Sequence, residues 1–167
     1  DDLYSKHTTH FSCADGEGNW VAITATVNTS FGSKVIIPGT GVIMNNEMDD
    51  FSIAPGVPNA FGLLGAEANA VTAGKRPLSS MSPTIVLKDD KPILAVGAAG
   101  GPTIITQTLL AIIHTIDYGR PLKEALAQPH FHHQWAPDQI RIEKRVGEKV
   151  LAELRRRGHA LKVYNRM

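Results

Sequence analysis

The sequence is poor in the features that mark several common classes of protein. A single cysteine, Cys13, excludes an internal disulfide framework and a zinc site built from several cysteines. Seventeen Lys and Arg against sixteen Asp and Glu give a net charge of +1, too little for a dedicated binder of the nucleic-acid backbone. The longest strongly apolar stretch, residues 102–116, is interrupted by polar residues and is shorter than the roughly 18 residues of a membrane span. We therefore predict no nucleic-acid partner and no membrane span.

What is present fits a globular fold. The chain has 167 residues, of which 43% are hydrophobic, and its ten prolines and fifteen glycines fall between apolar runs. This pattern indicates neither collagen-like repetition nor general disorder. The charge is uneven, because residues 120–167 have eleven basic and five acidic side chains. We interpret this basic end first as a solvated helix face and second as a docking surface for an acidic partner.

Runs of β-forming residues separated by turn residues predict two hairpins. Their strands are predicted at 10–14 with 21–28 and at 84–87 with 93–96, and a short third strand at 42–44. Helices are predicted at 103–118, 121–127 and 147–157, and further strands at 141–143 and 160–163. Residues 51–73 have little periodicity, which is typical either of an active-site lid or of an ordinary surface loop. The order of these elements predicts an α+β architecture.

Several clusters could take part in chemistry, and each has a plainer interpretation. Gly100 and Gly101 lie between a strand and a helix, where main-chain N–H groups can bind an oxyanion, but taken alone they fit a tight strand-to-helix turn better. Glu47 and Asp50 could hold an ammonium group, and they lack the glycine and further oxygen ligands of a calcium loop. The serines of residues 79–82 suit a carboxylate ligand or an ordinary polar loop. The imidazoles of residues 130–133 lack an acidic or cysteine ligand nearby, so we predict no metal site.

Taken in order, a series of motifs resembles the small subunit of γ-glutamyltranspeptidases. The resemblance extends from Thr8 to the end of the chain, and ordered motifs over that length are far more specific than any single one. They are Thr8-Thr9-His10-Phe11-Ser12, Thr26-Val27-Asn28, Asn45-Asn46-Glu47-Met48-Asp49-Asp50-Phe51, Pro55-Gly56-Val57-Pro58-Asn59, Arg76-Pro77-Leu78-Ser79-Ser80-Met81-Ser82-Pro83, Gly100-Gly101 and Phe131-His132-His133-Gln134-Trp135.

This resemblance implies the αββα sandwich of the N-terminal nucleophile hydrolases, a precursor that cuts itself, and a two-chain enzyme without metal or cofactor. Thr8 matches the nucleophile, whose freed amine activates its hydroxyl, and Thr26 matches the threonine that supports it. Gly100 and Gly101 match the oxyanion donors. Residues 1–7 are then a precursor segment, and residues 8–167 are a small-subunit domain that ends before its last strands.

The same resemblance implies how the donor is held. Asn28, Glu47 and Asp50 match the groups that bind the α-amino group of a γ-glutamyl substrate, and Ser79 and Ser80 match those that bind its α-carboxylate. Phe61 stands where some relatives have a tyrosine whose hydroxyl bonds the asparagine matching Asn28. That latch is expected to be absent here.

The expected reaction is transfer or hydrolysis of the γ-glutamyl group of glutathione and related amides. The expected partners are the large subunit of the same precursor, the γ-glutamyl compound, and an amino acid, a peptide or water as acceptor. The resemblance suggests a periplasmic or extracellular location. Two alternatives stay open: an acylase of the same fold that acts on glutaryl groups, and an inactive, unprocessed assembly module.

Overall fold

A computed structural model describes residues 7–167 of the chain. Of the predicted precursor segment, residues 1–6 lie outside the described part, so its separation from residues 8–167 stays a prediction. The described chain divides into two compact units, one extending to Ile105 and the other covering Thr106–Met167. Across residues 7–167, no helix has the length and apolar character needed to cross a bilayer.

Two antiparallel hairpins form the strands of the first unit, as the sequence predicted. The first pairs β1 (Thr8–Ala14) with β2 (Trp20–Thr26), and the second pairs β3 (Thr84–Lys88) with β4 (Lys91–Val96). In the first turn, the Asp15 carboxylate accepts hydrogen bonds from the N–H groups of Glu17 and Asn19, each at 2.9 Å. Strand β2 contacts both strands of the second hairpin, which brings the two hairpins together.

Between the hairpins the chain has little regular structure, and the prediction of a strand at 42–44 is wrong. Only an isolated bridge between Ile36 and Ile43 forms there. The β-forming residues of this segment are largely exposed, with Val42 at 54%. Main-chain bonds join Ile37 to Val42 and Val35 to Met44, but the pairing does not extend into a ladder, so propensity alone does not make a strand here. Two short 3-10 turns, Glu47–Asp50 and Glu67–Asn69, interrupt this region.

The helices follow the predicted order with shorter bounds. They are α1 (Thr103–Ile112), α2 (Leu122–Leu126) and α3 (Glu148–Arg156). The helix predicted over 103–118 continues beyond α1 as a π-helical turn, Ile113–Asp117. A further 3-10 turn, Lys144–Val146, precedes α3.

A three-stranded sheet belongs to the second unit. Its strands are β5 (Phe131–His132), β6 (Ile140–Glu143) and β7 (Leu161–Tyr164), with β6 antiparallel to β5 and parallel to β7. The sequence predicted β6 and β7 but not the two-residue β5. Here His132 is 3% exposed and bonds the Thr106 hydroxyl at 3.0 Å and the Gln134 side chain at 3.1 Å. Burial lowers the pKa of His132.

A buried acid lies at the end of β6. The Glu143 carboxylate is fully buried, pairs with Arg145, and accepts a hydrogen bond from the N–H of Met167 at 2.8 Å. Burial alone would raise the pKa of Glu143, but the Met167 N–H and the Arg145 guanidinium outweigh burial and lower it. The bond from Met167 joins β6 to the segment that follows β7.

Helix α3 buries one face in the second unit. Leu151 is 1% exposed, whereas its neighbour Val150 is 45% exposed. We expect Leu151→Ala to lower the free energy of unfolding by about 2–5 kcal/mol, because it removes buried methyl groups and leaves a cavity. Val150→Ala should change it by less than about 0.5 kcal/mol. Urea unfolding of the two variants checks this, and equal losses would contradict the assigned packing of α3.

Candidate active site

The pairing of β1 with β2 sets two threonines opposite each other at the open end of the first hairpin. Thr8 and Thr26 are register partners, and their hydroxyl oxygens lie 2.9 Å apart. Directly opposite residues of an antiparallel pair point to the same face of the sheet, so this contact follows from the register. The turn at residues 15–19 therefore fixes a hydroxyl pair 18 residues apart in sequence.

The direction of the hydrogen bonds follows from the other partners of the Thr26 hydroxyl. Its oxygen lies 3.2 Å from the carbonyl oxygen of His7, to which it donates, and it accepts the N–H of Asn28 at 2.9 Å. A hydroxyl has only one hydrogen to donate. With that hydrogen on the His7 carbonyl, Thr8 must be the donor in the contact with Thr26. The hydroxyl of Thr8 and the carbonyl that precedes it are thus joined through Thr26.

Asn28 connects this threonine pair to the 3-10 turn Glu47–Asp50. It is 8% exposed and has a positive φ of 75°, a conformation that asparagine tolerates better than most residues. Its side-chain amide donates to the carbonyl of Asn46 at 3.2 Å. The Asn46 side chain in turn accepts hydrogen bonds from the N–H of Thr29 at 3.1 Å and from its hydroxyl at 2.9 Å. These contacts hold the residue before Glu47 against the end of β2.

Glu47 and Asp50 form a pair of carboxyl groups that share a proton. They are the first and last residues of one 3-10 turn, and their spacing of three places them on the same side of it. Burial, a hydrogen bond with Asp50 and the charge of Asp50 raise the pKa of Glu47 to about 7. Burial also raises the pKa of Asp50, with the charge of Asp49 acting in the same direction. Glu47 therefore keeps its proton up to about pH 7, beside the Asp50 carboxyl group.

Local hydrogen bonds and backbone angles hold the serine segment, residues 79–82, and the glycine turn, Gly100 and Gly101. The Ser79 hydroxyl accepts the N–H of Met81 at 3.2 Å, and the Ser82 hydroxyl donates to the carbonyl of Ser80 at 3.1 Å. Gly100 and Gly101 have positive φ angles of 133° and 57°. Only glycine adopts the first of these without strain.

The carbonyl of Gly100 accepts both the N–H and the hydroxyl of Thr103, at 3.3 and 2.7 Å. These bonds attach the glycine turn to the first turn of α1.

Eight of the nine predicted site residues line one cavity of the first unit. They are Thr8, Thr26, Asn28, Glu47, Asp50, Ser79, Ser80 and Gly101; Gly100 precedes the last of them and does not line the cavity itself. Phe61, Met81, Pro102 and Ile104 complete the wall. Of these four, the sequence analysis had named only Phe61 for a role at the site. The other three were not predicted, because apolar residues next to polar motifs have no distinctive pattern.

A contact between β1 and the residue after β4 was not predicted. A Cβ added to Gly97 would lie 2.2 Å from the Nδ1 atom of His10, so only glycine allows the imidazole to pack there. The ring is held by hydroxyls on both sides, with Nδ1 at 2.9 Å from Thr24 and Nε2 at 3.0 Å from Ser12. Burial lowers the pKa of His10. This packing fixes strand β1, which begins at Thr8, against the start of residues 97–101, the segment that contains Gly100 and Gly101.

The shared proton gives a prediction about stability. Glu47 has a pKa of 4.5 in the unfolded chain and about 7 in the fold, so between these values the fold holds a proton that the unfolded chain lacks. This contribution is full below pH 4.5 and is lost as the pH rises through 7. We expect Glu47→Gln, which cannot lose a proton, to remove that part of the slope. Urea unfolding from pH 4 to 8 checks it, and an unchanged slope would contradict the shared proton.

Comparisons with known proteins agree with this geometry. A family model described as gamma-glutamyltranspeptidase matches residues 1–167. The chain is 51% identical over 154 residues to the glutathione hydrolase proenzyme of Escherichia coli K12, which covers 92% of this chain and 27% of that protein. It is 55% identical over 138 residues to the glutathione hydrolase proenzyme of Pseudomonas sp. A14, which covers 83% of this chain and 24% of that protein. The chain thus spans about a quarter of the length of these curated relatives.

A solved structure shares the fold. The gamma-glutamyltranspeptidase of Helicobacter pylori, in a threonine-to-alanine variant, superposes with a TM-score of 0.91 at 51% identity. The match covers 95% of this chain and 86% of that chain.

Proposed function

Because the chain belongs to the γ-glutamyltranspeptidase family, we propose that it is the small, catalytic subunit of a γ-glutamyltransferase and glutathione hydrolase. Thr8 takes a γ-glutamyl group from glutathione or a related amide and passes it to water, an amino acid or a peptide. The partner is a large subunit from the same precursor. The observation that supports this most is that the hydroxyl pair, the acidic pair and the serine pair all line one cavity.

Self-cleavage between His7 and Thr8 is the first step. The Thr8 oxygen attacks the carbonyl carbon of His7, and the negative charge that develops on the carbonyl oxygen is met by the hydrogen that Thr26 donates. The bond from that carbon to the Thr8 nitrogen breaks, the nitrogen takes the proton that the Thr8 hydroxyl released, and an ester joins His7 to the Thr8 oxygen. Water opens this ester, leaving a carboxylate on His7 and a free amine on Thr8.

Acyl transfer uses the amine that self-cleavage has released. An α-amino group has a pKa of about 7.7–8.0, so near neutral pH a useful fraction is the free base. It removes the hydroxyl proton as the Thr8 oxygen attacks the γ-carbonyl of the donor. The N–H groups of Gly100 and Gly101 stabilise the oxyanion, where one donor contributes about 3–4 kcal/mol. The leaving amine takes the proton as its bond to the carbonyl carbon breaks. The acceptor then attacks the acyl carbon, the ester bond to the Thr8 oxygen breaks, and the acceptor's proton passes to that oxygen.

Recognition of the donor depends on its two charges. The α-ammonium group binds between Asn28, Glu47 and Asp50, with Asp50 supplying the negative charge. The α-carboxylate binds the hydroxyls of Ser79 and Ser80, together with an arginine of the large subunit. The chain's likeness to its relatives supports a periplasmic or extracellular location for the assembled enzyme.

Replacing the nucleophile tests the proposal directly. In the full-length precursor, Thr8→Ala should abolish both the cut before residue 8 and hydrolysis of γ-glutamyl-p-nitroanilide, because both reactions need the same oxygen. Mass spectrometry of the chain start and release of nitroaniline measure the two effects. Thr9→Ala is the matched control, since Thr9 is exposed and points to the other face of β1. It should retain activity within about threefold.

Retained hydrolysis in Thr8→Ala would overturn the assignment of the nucleophile. If the wild-type precursor stays one chain and turns over no donor, the inactive assembly module is the better interpretation.

Substitution of Asp50 separates the proposed activity from a glutaryl acylase. A glutaryl group lacks the α-ammonium, so only the γ-glutamyl donor gains from the carboxylate. We expect Asp50→Asn to lower kcat/KM for γ-glutamyl-p-nitroanilide by about a hundredfold and to change that for glutaryl-p-nitroanilide by less than about threefold. Asp90→Asn, in the exposed turn of the second hairpin, is the control. A wild-type preference for the glutaryl donor would support the acylase instead.

A further inference from the structure

The two halves of the proposed donor site lie on separate loops. The ammonium side is the turn Glu47–Asp50, and the carboxylate side is the serine pair Ser79 and Ser80. The α-amino and α-carboxyl groups of a donor are attached to one carbon, so the distance between these loops must be held closely. Almost thirty residues of chain separate them, and this stretch contains no β-strand or α-helix. Some other contact has to set their spacing.

Asn69 makes that contact. Its side-chain nitrogen donates to the main-chain carbonyl of Asp50 at 2.7 Å, and its side-chain oxygen accepts the N–H of Leu78 at 3.0 Å. Leu78 immediately precedes the serine pair. The orientation of the amide is fixed by chemistry, because a carbonyl needs a donor and an N–H needs an acceptor. One planar side chain therefore bonds the residue that bears the acid and the residue next to the hydroxyls.

Asn69 is itself held by the main chain. Its N–H donates to the carbonyl of Ala66 at 2.9 Å, and its carbonyl accepts the N–H of Ser52 at 2.9 Å. Ser52 is 5% exposed and forms a parallel bridge with Ala70. Because the backbone of Asn69 is held on both sides, its side chain keeps a fixed position and does not shift to follow the two loops.

We propose, on the basis of the function proposed above, that Asn69 is a positioning residue that determines specificity for an α-amino acid at the donor end. It sets the distance between the Asp50 carboxylate and the serine hydroxyls. Without it, each loop keeps its local structure but the two no longer match the ammonium and carboxylate of one donor molecule. The consequence is weaker donor binding, with the nucleophile and its self-cleavage left in place.

The test uses the full-length precursor with Asn69→Ala and Asn69→Asp. The second variant keeps the shape and the acceptor but replaces the donor with an oxygen facing the Asp50 carbonyl. We expect both to raise KM for γ-glutamyl-p-nitroanilide by about tenfold or more, to change kcat by less than about threefold, and to cut before Thr8 as the wild type does. The kcat/KM for glutaryl-p-nitroanilide should fall less, which reduces the preference for the amino-acid donor.

Gln128→Ala is the matched control. It removes a side-chain bond of the same kind, from the Gln128 amide to the main-chain carbonyl of Glu124 at 3.0 Å, at the end of α2. Its KM and kcat should stay at wild-type values. A merely structural role for Asn69 would lower the amount of active enzyme and hence kcat, without moving KM.

Each outcome decides the question. A wild-type KM in the Asn69 variants, or a loss confined to kcat, overturns the proposal. So does failure of both variants to mature while Gln128→Ala matures, because Asn69 would then serve folding and not donor spacing. If the wild-type enzyme itself does not turn over γ-glutamyl donors, the proposed function fails, which is a different result from an active wild type with unaffected variants.

Discussion

The hydrogen bond between the hydroxyls of Thr8 and Thr26 is the contact on which the rest of the site depends. It exists only because the hairpin turn sets the two strands in one register, and a slip of one residue would turn these side chains to opposite faces. The same hydroxyl of Thr26 reaches the His7 carbonyl and the Asn28 N–H. The proposed nucleophile, the peptide bond before it and the first residue of the proposed donor site are therefore positioned by a single side chain.

The sequence predicted the elements that form from neighbouring residues, such as hairpins with short turns. Both hairpins were predicted because polar turn residues such as Asp89 and Asp90, with φ angles of 50° and 60°, adopt conformations that end a strand. The strand predicted at 42–44 failed and β5 was missed for the same reason, since a strand needs a partner and pairing is not written in a short segment. The expected α+β class and the superfamily fold are confirmed by the likeness to solved γ-glutamyltranspeptidases.

The candidate site was proposed from ordered motifs, whereas the contacts that support it were not predicted. Family likeness named the residues that line the cavity, but no pattern pointed to the contacts between Asn28 and Asn46 or between His10 and Gly97. These are non-local contacts, several of them to main-chain carbonyls, and any residue supplies a carbonyl. A sequence shows which side chains are available for chemistry, whereas the partner of a main-chain group appears only in the fold.

The acidic pair links donor binding to proton release. In a partly buried site, two neighbouring carboxyl groups resist full ionisation unless a positive charge lies between them. Below about pH 7 the free site keeps a proton on Glu47, and in the proposed complex the donor's ammonium group replaces it, so Glu47 loses its proton on binding. The Thr8 amine must also be neutral to act as a base. Both requirements favour the same mildly alkaline range, since the pKa of Glu47 is about 7 and that of an α-amine about 7.7–8.0. In this proposal, recognition and catalysis therefore both weaken as the pH falls below this range, although different groups are responsible.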